Sequence, residues 1–314
     1  MRRRYTWSVA SRPMKRFRGL ADRIRRGAPA EPSAALPELP PPTWADDAPS
    51  PWGRGAWGRF GPTSTHACPI CRWTGEQFGG VVHSESALCP GCGSISRDRF
   101  LFWCFVNRTP EHVGARVLET SPRMDGTYRA AMGKWFDYTC SDYDESAHRG
   151  TVRLDLQAID RPDASFDIVL TPHVLEHVPD TDTALDELYR IMAPGGRVYL
   201  QVPVLQGSTA PPTSPEFHGD NTPVFWRFGF DLTERLREHG FVTELLCTDE
   251  WIAAVDEGWT EWPTATSPEF DVASILGGVR RDDLVAVADD ATAHRFGFRP
   301  AYMYLTWECV KPAR

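Results

Sequence analysis

The sequence predicts an α/β protein, with a mostly parallel sheet carrying helices on both faces and a small four-cysteine module in front of it. Two observations carry that prediction. Between residues 116 and 204, short apolar strand-like segments alternate with helical ones. Ahead of them, Cys68, Cys71, Cys89 and Cys92 fall in two tight pairs. A length of 314 residues suits one large domain plus a small module. With 41% hydrophobic and 24% charged residues, and no apolar run near the ~18 to 20 residues that cross a bilayer, the chain is expected to be globular without a membrane span.

The first segment is basic. Residues 1–26 carry nine Arg and Lys15 against Asp22, a charge of +9, although the whole chain is at -8 and the remainder therefore at -17. Such an arm can hold nucleic acid or an anionic membrane, or can be a solvated leader; without a stacking platform or a helical face, the leader is the expectation. No apolar stretch follows the early arginines before Lys15, Arg16 and Arg18, so no export is expected and the location predicted is cytoplasmic. Residues 27–51 are rich in Pro and Ala, which predicts an extended linker. Together, residues 1–62 are read as a basic, then Pro-rich, disordered leader.

Residues 63–96 are read as a zinc ribbon. Cys68-Pro-Ile-Cys71 and Cys89-Pro-Gly-Cys92 are 17 residues apart, the C-x2-C-x15–20-C-x2-C spacing of a tetrahedral site. Each turn lets two thiolates reach one ion, Gly93 relieves crowding after the second pair, and Arg72 offsets negative charge. Two disulfides or a redox pair are the alternative. Four thiolates leave no open position, so the ion is expected to be structural and unable to activate water. The other four cysteines, Cys104, Cys140, Cys247 and Cys309, are scattered as core thiols.

Residues 97–314 form the large domain. Residues 97–108 carry Phe100, Leu101, Cys104 and Phe105 at helical spacing. Strands are expected at 116–120, 136–142, 151–156, 166–170 and 197–204, with a helix through Tyr128 to Met132. A second helix near Thr183 to Met192 has Leu185, Leu188 and Met192 in one stripe, closed by Pro194, Gly195 and Gly196. Leu232 to His239 reads as a helix ending at Gly240 and leading into residues 241–246; a long irregular stretch then precedes a final strand at 301–310.

The stretch from Asp163 to Asp180, DASFDIVLTPHVLEHVPD, followed by Ala184-Leu185, Glu187-Leu188, Arg190 and Ala193-Pro-Gly-Gly-Arg-Val-Tyr-Leu200, resembles the class I S-adenosylmethionine-dependent methyltransferases. The likeness spans about residues 115 to 245, and is to the methyltransferase type 11 kind, in a bacterial subgroup with an N-terminal zinc ribbon. It implies a Rossmann-like sheet with adenosylmethionine at the carboxyl ends of the strands. By position, Glu119, Thr120 and Ser121 lie beside the methionine part, and Asp142 accepts the ribose hydroxyls. Asp155 takes the adenine amino group, Leu156 packs on the ring, and Thr171 and His173 face the methyl, with Pro172 between them. The family's E/D-x-G-x-G-x-G turn is replaced here by Glu119-Thr-Ser-Pro-Arg-Met-Asp-Gly126.

The expected reaction is methyl transfer to a small-molecule or glycan-type acceptor at oxygen. His218 is the first candidate base and His173 the second. Phe217, Phe225, Trp226, Trp251, Trp259 and Trp262 are expected to wall the acceptor pocket or else to cover the sheet edge. Alternatives are an RNA methyltransferase using the basic arm and zinc ribbon, and a noncatalytic binding protein on the same fold. His173-Val-Leu-Glu176-His177 also spells HxxEH, the inverted zinc-peptidase signature, but a buried strand runs into it and Pro179 limits any helix. Glu176 and His177 are instead expected to form a hydrogen-bonded pair at a helix start. Acceptor identity and oligomeric state are not encoded in any motif.

Overall fold

The five segments read as strands between 116 and 204 pair, together with three later strands, into one eight-stranded sheet. The computed structural model describes residues 66–80, 87–109, 114–124, 126–144, 147, 151–204, 206–218, 221–260, 272–298 and 305–313. The basic arm, the Pro-rich linker, Asp220, Trp262 and residues 301–304 lie outside them.

Two short strands, β1 (His66–Ala67) and β2 (Thr74–Gly75), precede helix α1 (Ser96–Arg108). There follow β3 (Arg116–Thr120), α2 (Gly126–Trp135), β4 (Asp137–Asp142), β5 (Val152–Arg153) and β6 (Phe166–Pro172). A 3-10 turn at Leu175–His177 leads to α3 (Thr181–Ile191), β7 (Met192–Gln201), β8 (Glu216–Phe217) and β9 (Pro223–Val224). The chain continues with α4 (Leu232–Glu238), β10 (Val242–Thr248), α5 (Asp249–Glu257), α6 (Val272–Gly277), β11 (Leu284–Ala288), α7 (Asp290–Phe296) and β12 (Thr306–Val310).

The strand order is β11-β10-β12-β7-β6-β3-β4-β5. All neighbours are parallel except β12, which runs antiparallel to β7 and β10. From β3 the chain winds outward to β4 and β5, then crosses back to place β6 on the other side of β3. The sheet therefore reverses its winding between β3 and β6, and the crevice at their carboxyl ends is where such sheets bind ligands. The apolar character of these strands has the same origin: Val117, Leu118, Ile168 and Val169 are all buried, as parallel strands covered on both faces must be.

Helix α1 ties the cysteine module to the sheet. Phe105 packs its ring against Phe136 and Tyr199, and Phe102 against Tyr128. Arg99, fully buried, donates to Ala87 O (3.0 Å), Ser94 O (2.6 Å), Phe296 O (2.8 Å) and Gly297 O (3.1 Å). One guanidinium thus joins the second cysteine turn to the end of α7, and its bonds satisfy a charge that burial would otherwise penalise heavily.

Four expectations change in detail. Of residues 151–156 only Val152 and Arg153 are strand, because the chain turns at Asp155 to bury Leu154 and Leu156. Helix α3 begins earlier, where Asp180 Oδ1 accepts from Thr183 N at 3.1 Å, and it ends at Ile191. Pro194 to Gly196 do not close it; they form a bulge inside β7, with Gly195 at φ 79°, between the pairs Phe166–Met192 and Ile168–Arg197. The described residues of the stretch read as irregular, 249–260 and 272–298, carry α5, α6, β11 and α7, each too short for its period to stand out in sequence.

Candidate functional site

The two cysteine turns have the same local form. Arg72 N donates to Cys68 O and Cys68 N to Trp73 O, just as Gly93 N donates to Cys89 O and Cys89 N to Ser94 O. The residue after each pair is left-handed, Arg72 at φ 63° and Gly93 at φ 73°. At Gly91 a Cβ would come within 2.9 Å of Cys71 Sγ, so the second turn needs glycine inside it. The four Sγ atoms lie within 4.8 Å of one another, with Cys68–Cys92 at 3.7 Å and Cys71–Cys89 at 3.6 Å. Zinc at ~2.3 Å from each tetrahedral thiolate requires about 3.8 Å between sulfurs, so the set fits that ion. All eight cysteines are free of disulfides.

At the carboxyl ends of β3 and β6 the backbone takes two left-handed steps, Ser121 at φ 46° and His173 at φ 51°. Ser121 stands where the resemblance expects the first glycine, and keeps the glycine-like turn at some cost in strain. Its amide donates to Ser141 O (2.7 Å), while His173 N donates to Gln201 O (2.8 Å), so each turn is tied to a neighbouring strand.

Between these turns opens a cavity of about 500 Å³. Ser121, Pro172 and His173 form part of its floor, with Arg97 and Arg123 beside them and the β8–β9 segment (Glu216, His218, Thr222, Val224, Trp226, Arg227) opposite. Both candidate bases, His173 and His218, therefore share one cavity with Glu176 and His177. Burial, then the positive charges of Arg97 and Arg123, hold the His173 imidazole well below the usual histidine range. Burial pushes the Glu176 carboxyl up to about 8.

Glu119 ends β3, buried, accepting from Tyr138 Oη at 2.7 Å; burial raises it to about 7, partly offset by Tyr138 and Tyr128. It lines a second, small cavity with Ile70, Asp98, Met124, Tyr128 and Pro172. Asp142 ends β4 and accepts from Asp144 N (3.1 Å), and Asp155 accepts from Gln157 N (2.9 Å). Asp142, Asp155 and Leu156 are not among the residues lining the large cavity; they follow the β4–β5 side of the same sheet end. Thr120 Oγ1, Ser141 Oγ and Thr171 Oγ1 are buried without hydrogen-bond partners. Polar groups orphaned at three strand ends are what a site completed by another molecule leaves behind.

The zinc-peptidase reading stays set aside, as the sequence suggested, while other expectations about the site are corrected. HxxEH does not lie on an α-helix: Glu176 and His177 occupy the 3-10 turn, and the only group among the described residues that could hold a metal is the four cysteines. Glu176 and His177 are not hydrogen-bonded, since Oε1 and Nε2 are 3.8 Å apart and His177 Nδ1 turns instead to Pro223 O at 2.6 Å. Of the aromatic wall, Trp226 lines the cavity; Trp251 is a fully buried core residue and Phe217 points outward at 59% exposure. The cavity is lined by charge where aromatics were expected, and the sequence reading missed Arg97, Arg123, Glu216 and Arg227. Arg97 stands in the first turn of α1 and Arg123 three residues past the end of β3, so arginines at or near predicted element ends were the available signal.

Solved structures with a similar arrangement include an S-adenosylmethionine dependent methyltransferase from Mesorhizobium loti (17% identity, 47% of this chain and 84% of that one, TM-score 0.37). A 1,6-didemethyltoxoflavin-N1-methyltransferase from Burkholderia thailandensis is similar at 15% identity, 67% and 76% coverage and TM-score 0.38. Among curated proteins, an arsenite methyltransferase of Aquipseudomonas alcaligenes is 28% identical over 111 residues, 34% of this chain and 31% of that protein. A ubiquinone/menaquinone biosynthesis C-methyltransferase of Pseudoalteromonas translucida is 43% identical over 47 residues, 15% of this chain and 19% of its own. The chain thus spans about a third or less of either relative. Residues 126–200, from α2 to β7, match the family model described as a methyltransferase domain. Within a sheet of Rossmann-like, doubly wound form, residues 126–200 are thus similar to a methyltransferase domain.

Proposed function

We propose that the protein is an S-adenosylmethionine-dependent methyltransferase acting at oxygen on a small-molecule or glycan-type acceptor. The observation that carries this reading is the position of the 500 Å³ cavity, at the β3–β6 switch point inside a matched methyltransferase domain. Glu119, Thr120 and Ser121 would hold the methionine half of adenosylmethionine, Asp142 the ribose, Asp155 and Leu156 the adenine, and Thr171 with His173 the side toward the methyl. The bound group supplies an electrophilic sulfonium methyl. The chain's own contribution is alignment, exclusion of water and a place for the acceptor's proton. His218 and His173 are the histidines first expected there. The four cysteines would hold a structural zinc ion, which takes no part in transfer.

The volume of the cavity, about 500 Å³, is that of a small-molecule site and supports a small acceptor over RNA. Labelled adenosylmethionine supplied with cell metabolites should put label into a low-mass product, whether or not residues 1–45 are present. Label entering RNA only with the full chain, and lost at moderate salt as phosphate contacts through the arm would require, would overturn that choice.

A further inference from the structure

The motif HVLEH has work left over once the fold is accounted for. Glu176 is 1% exposed, and neither carboxyl oxygen has a hydrogen-bond partner. Its Oε1 lies 3.6 Å from His173 Nδ1 and 3.8 Å from His177 Nε2. The β8–β9 hairpin is latched onto this turn: Phe225 N and Trp226 N both donate to Glu176 O (2.9 and 3.3 Å), and Trp226 Nε1 donates to Pro179 O (3.1 Å). The groups facing the cavity from β8–β9 are therefore held in register with His177.

The same hairpin fixes how His177 carries its proton. A carbonyl oxygen only accepts, so the 2.6 Å contact from His177 Nδ1 to Pro223 O requires the proton on Nδ1. In the neutral ring, Nε2 then holds the lone pair, and that nitrogen is the one nearer Glu176. Neither other histidine offers this. His173 Nδ1 lies 3.4 Å from Arg97 Nη1, a group that only donates, and its ring is held neutral; among the described residues no hydrogen bond orients the His218 ring, which stands edge-on to His177 with centroids 4.7 Å apart.

Resting on the methyltransferase reading above, we propose that His177 is the catalytic base of an O-methyl transfer, taking the proton of an acceptor hydroxyl, with Glu176 as its positioning partner. The acceptor oxygen bonds to the methyl carbon of the sulfonium donor as the carbon–sulfur bond breaks and its electron pair goes to sulfur. The hydroxyl proton passes to Nε2, and from there to solvent when product leaves. Glu176 Oε1 lies 3.8 Å from Nε2, and the imidazolium formed there favours the ionised carboxyl over the neutral form that burial favours. Arg97 and Arg123 face the same space and oppose that charge; Glu216 supports it but is paired with Arg227 at 2.7 Å. An amine acceptor attacks through its own lone pair and needs no such base at the moment of transfer; a hydroxyl does.

The test begins without an acceptor. Nitrogen-15 NMR of the labelled imidazoles should find His177 in the Nδ1–H form at neutral pH, and lose that signal in His177→Gln. With carbon-13 methyl-labelled adenosylmethionine and cell metabolites, the product methyl should sit on oxygen. His177→Gln should lower kcat at least about 100-fold and abolish its rise with pH, while adenosylhomocysteine binding stays within about twofold. Glu176→Gln should lower kcat and shift the pH profile, with Glu176→Asp restoring part of both. An Nε2–H form, label on nitrogen, carbon or sulfur, or full kcat in His177→Gln would overturn the inference while leaving the methyltransferase reading intact. Failure of the unaltered protein to bind adenosylhomocysteine would overturn both.

Discussion

Ile70, inside the first cysteine turn, and Glu119, at the carboxyl end of β3, line the same small cavity. The cysteine module is thus a wall of the sheet end, with Arg99 fastening it there through four backbone carbonyls. The four-cysteine cluster and the strand ends proposed to hold the cofactor are thus joined by packing, although no cysteine is among the residues that line the large cavity.

Loss of the metal should therefore be felt at the strand ends. Structural zinc contributes on the order of 10 kcal/mol to the folding of small modules, so Cys89→Ser or chelation should lower Tm. Calorimetry should also find weaker adenosylhomocysteine binding. Ile70→Ala, which keeps all four thiolates, should retain about one zinc per chain by metal analysis yet weaken binding in the same direction. Unchanged affinity in both cases would show that the two sites are independent.

Asp142→Ala should weaken adenosylhomocysteine binding at least about tenfold. Two ribose hydroxyls bonded to a carboxylate are each worth ~1.5 to 3 kcal/mol, and the side chain is only partly buried at a strand end, so the fold should survive. A full-affinity variant would mean that β4 does not hold the ribose.

Glu119 makes stability depend on pH in an unusual sense. Burial raises the folded carboxyl from 4.5 to about 7, so between those values the folded state holds a proton that the unfolded chain has released. Its contribution is complete below about pH 4.5 and is lost as pH rises toward about 7. Denaturant titrations across that window should show Glu119→Gln gaining stability relative to the parent as pH increases. Parallel pH curves for the two proteins would contradict the burial of an ionisable group there.

Much of this was legible in the sequence because the signals were local. The cysteine spacing depends on one ion's geometry, and the buried strands β3 and β6 announce themselves as apolar runs ending in polar residues. Asp142 was readable as a strand end for the same reason; Asp155 was not, since β5 stops at Arg153 and Asp155 lies in the turn that follows. The tautomer of His177 was not, since it depends on Pro223, 46 residues away, folding back over the 3-10 turn. Nor was the charged lining: Arg97 and Arg123 come from different elements and meet only once α1 is seated. The tryptophans misled because Trp251, placed on a short helix after β10, packs inward against Phe230. Burial of an aromatic in a segment with no visible period cannot be told from a pocket wall by sequence alone.

The most direct test of the account is calorimetric titration of the unaltered protein with adenosylhomocysteine. The account predicts one site per chain with affinity near the micromolar range, about 8 kcal/mol of binding free energy, lowered by Asp142→Ala. No heat of binding up to millimolar ligand, with the four-cysteine module metal-loaded and the protein folded, would contradict it.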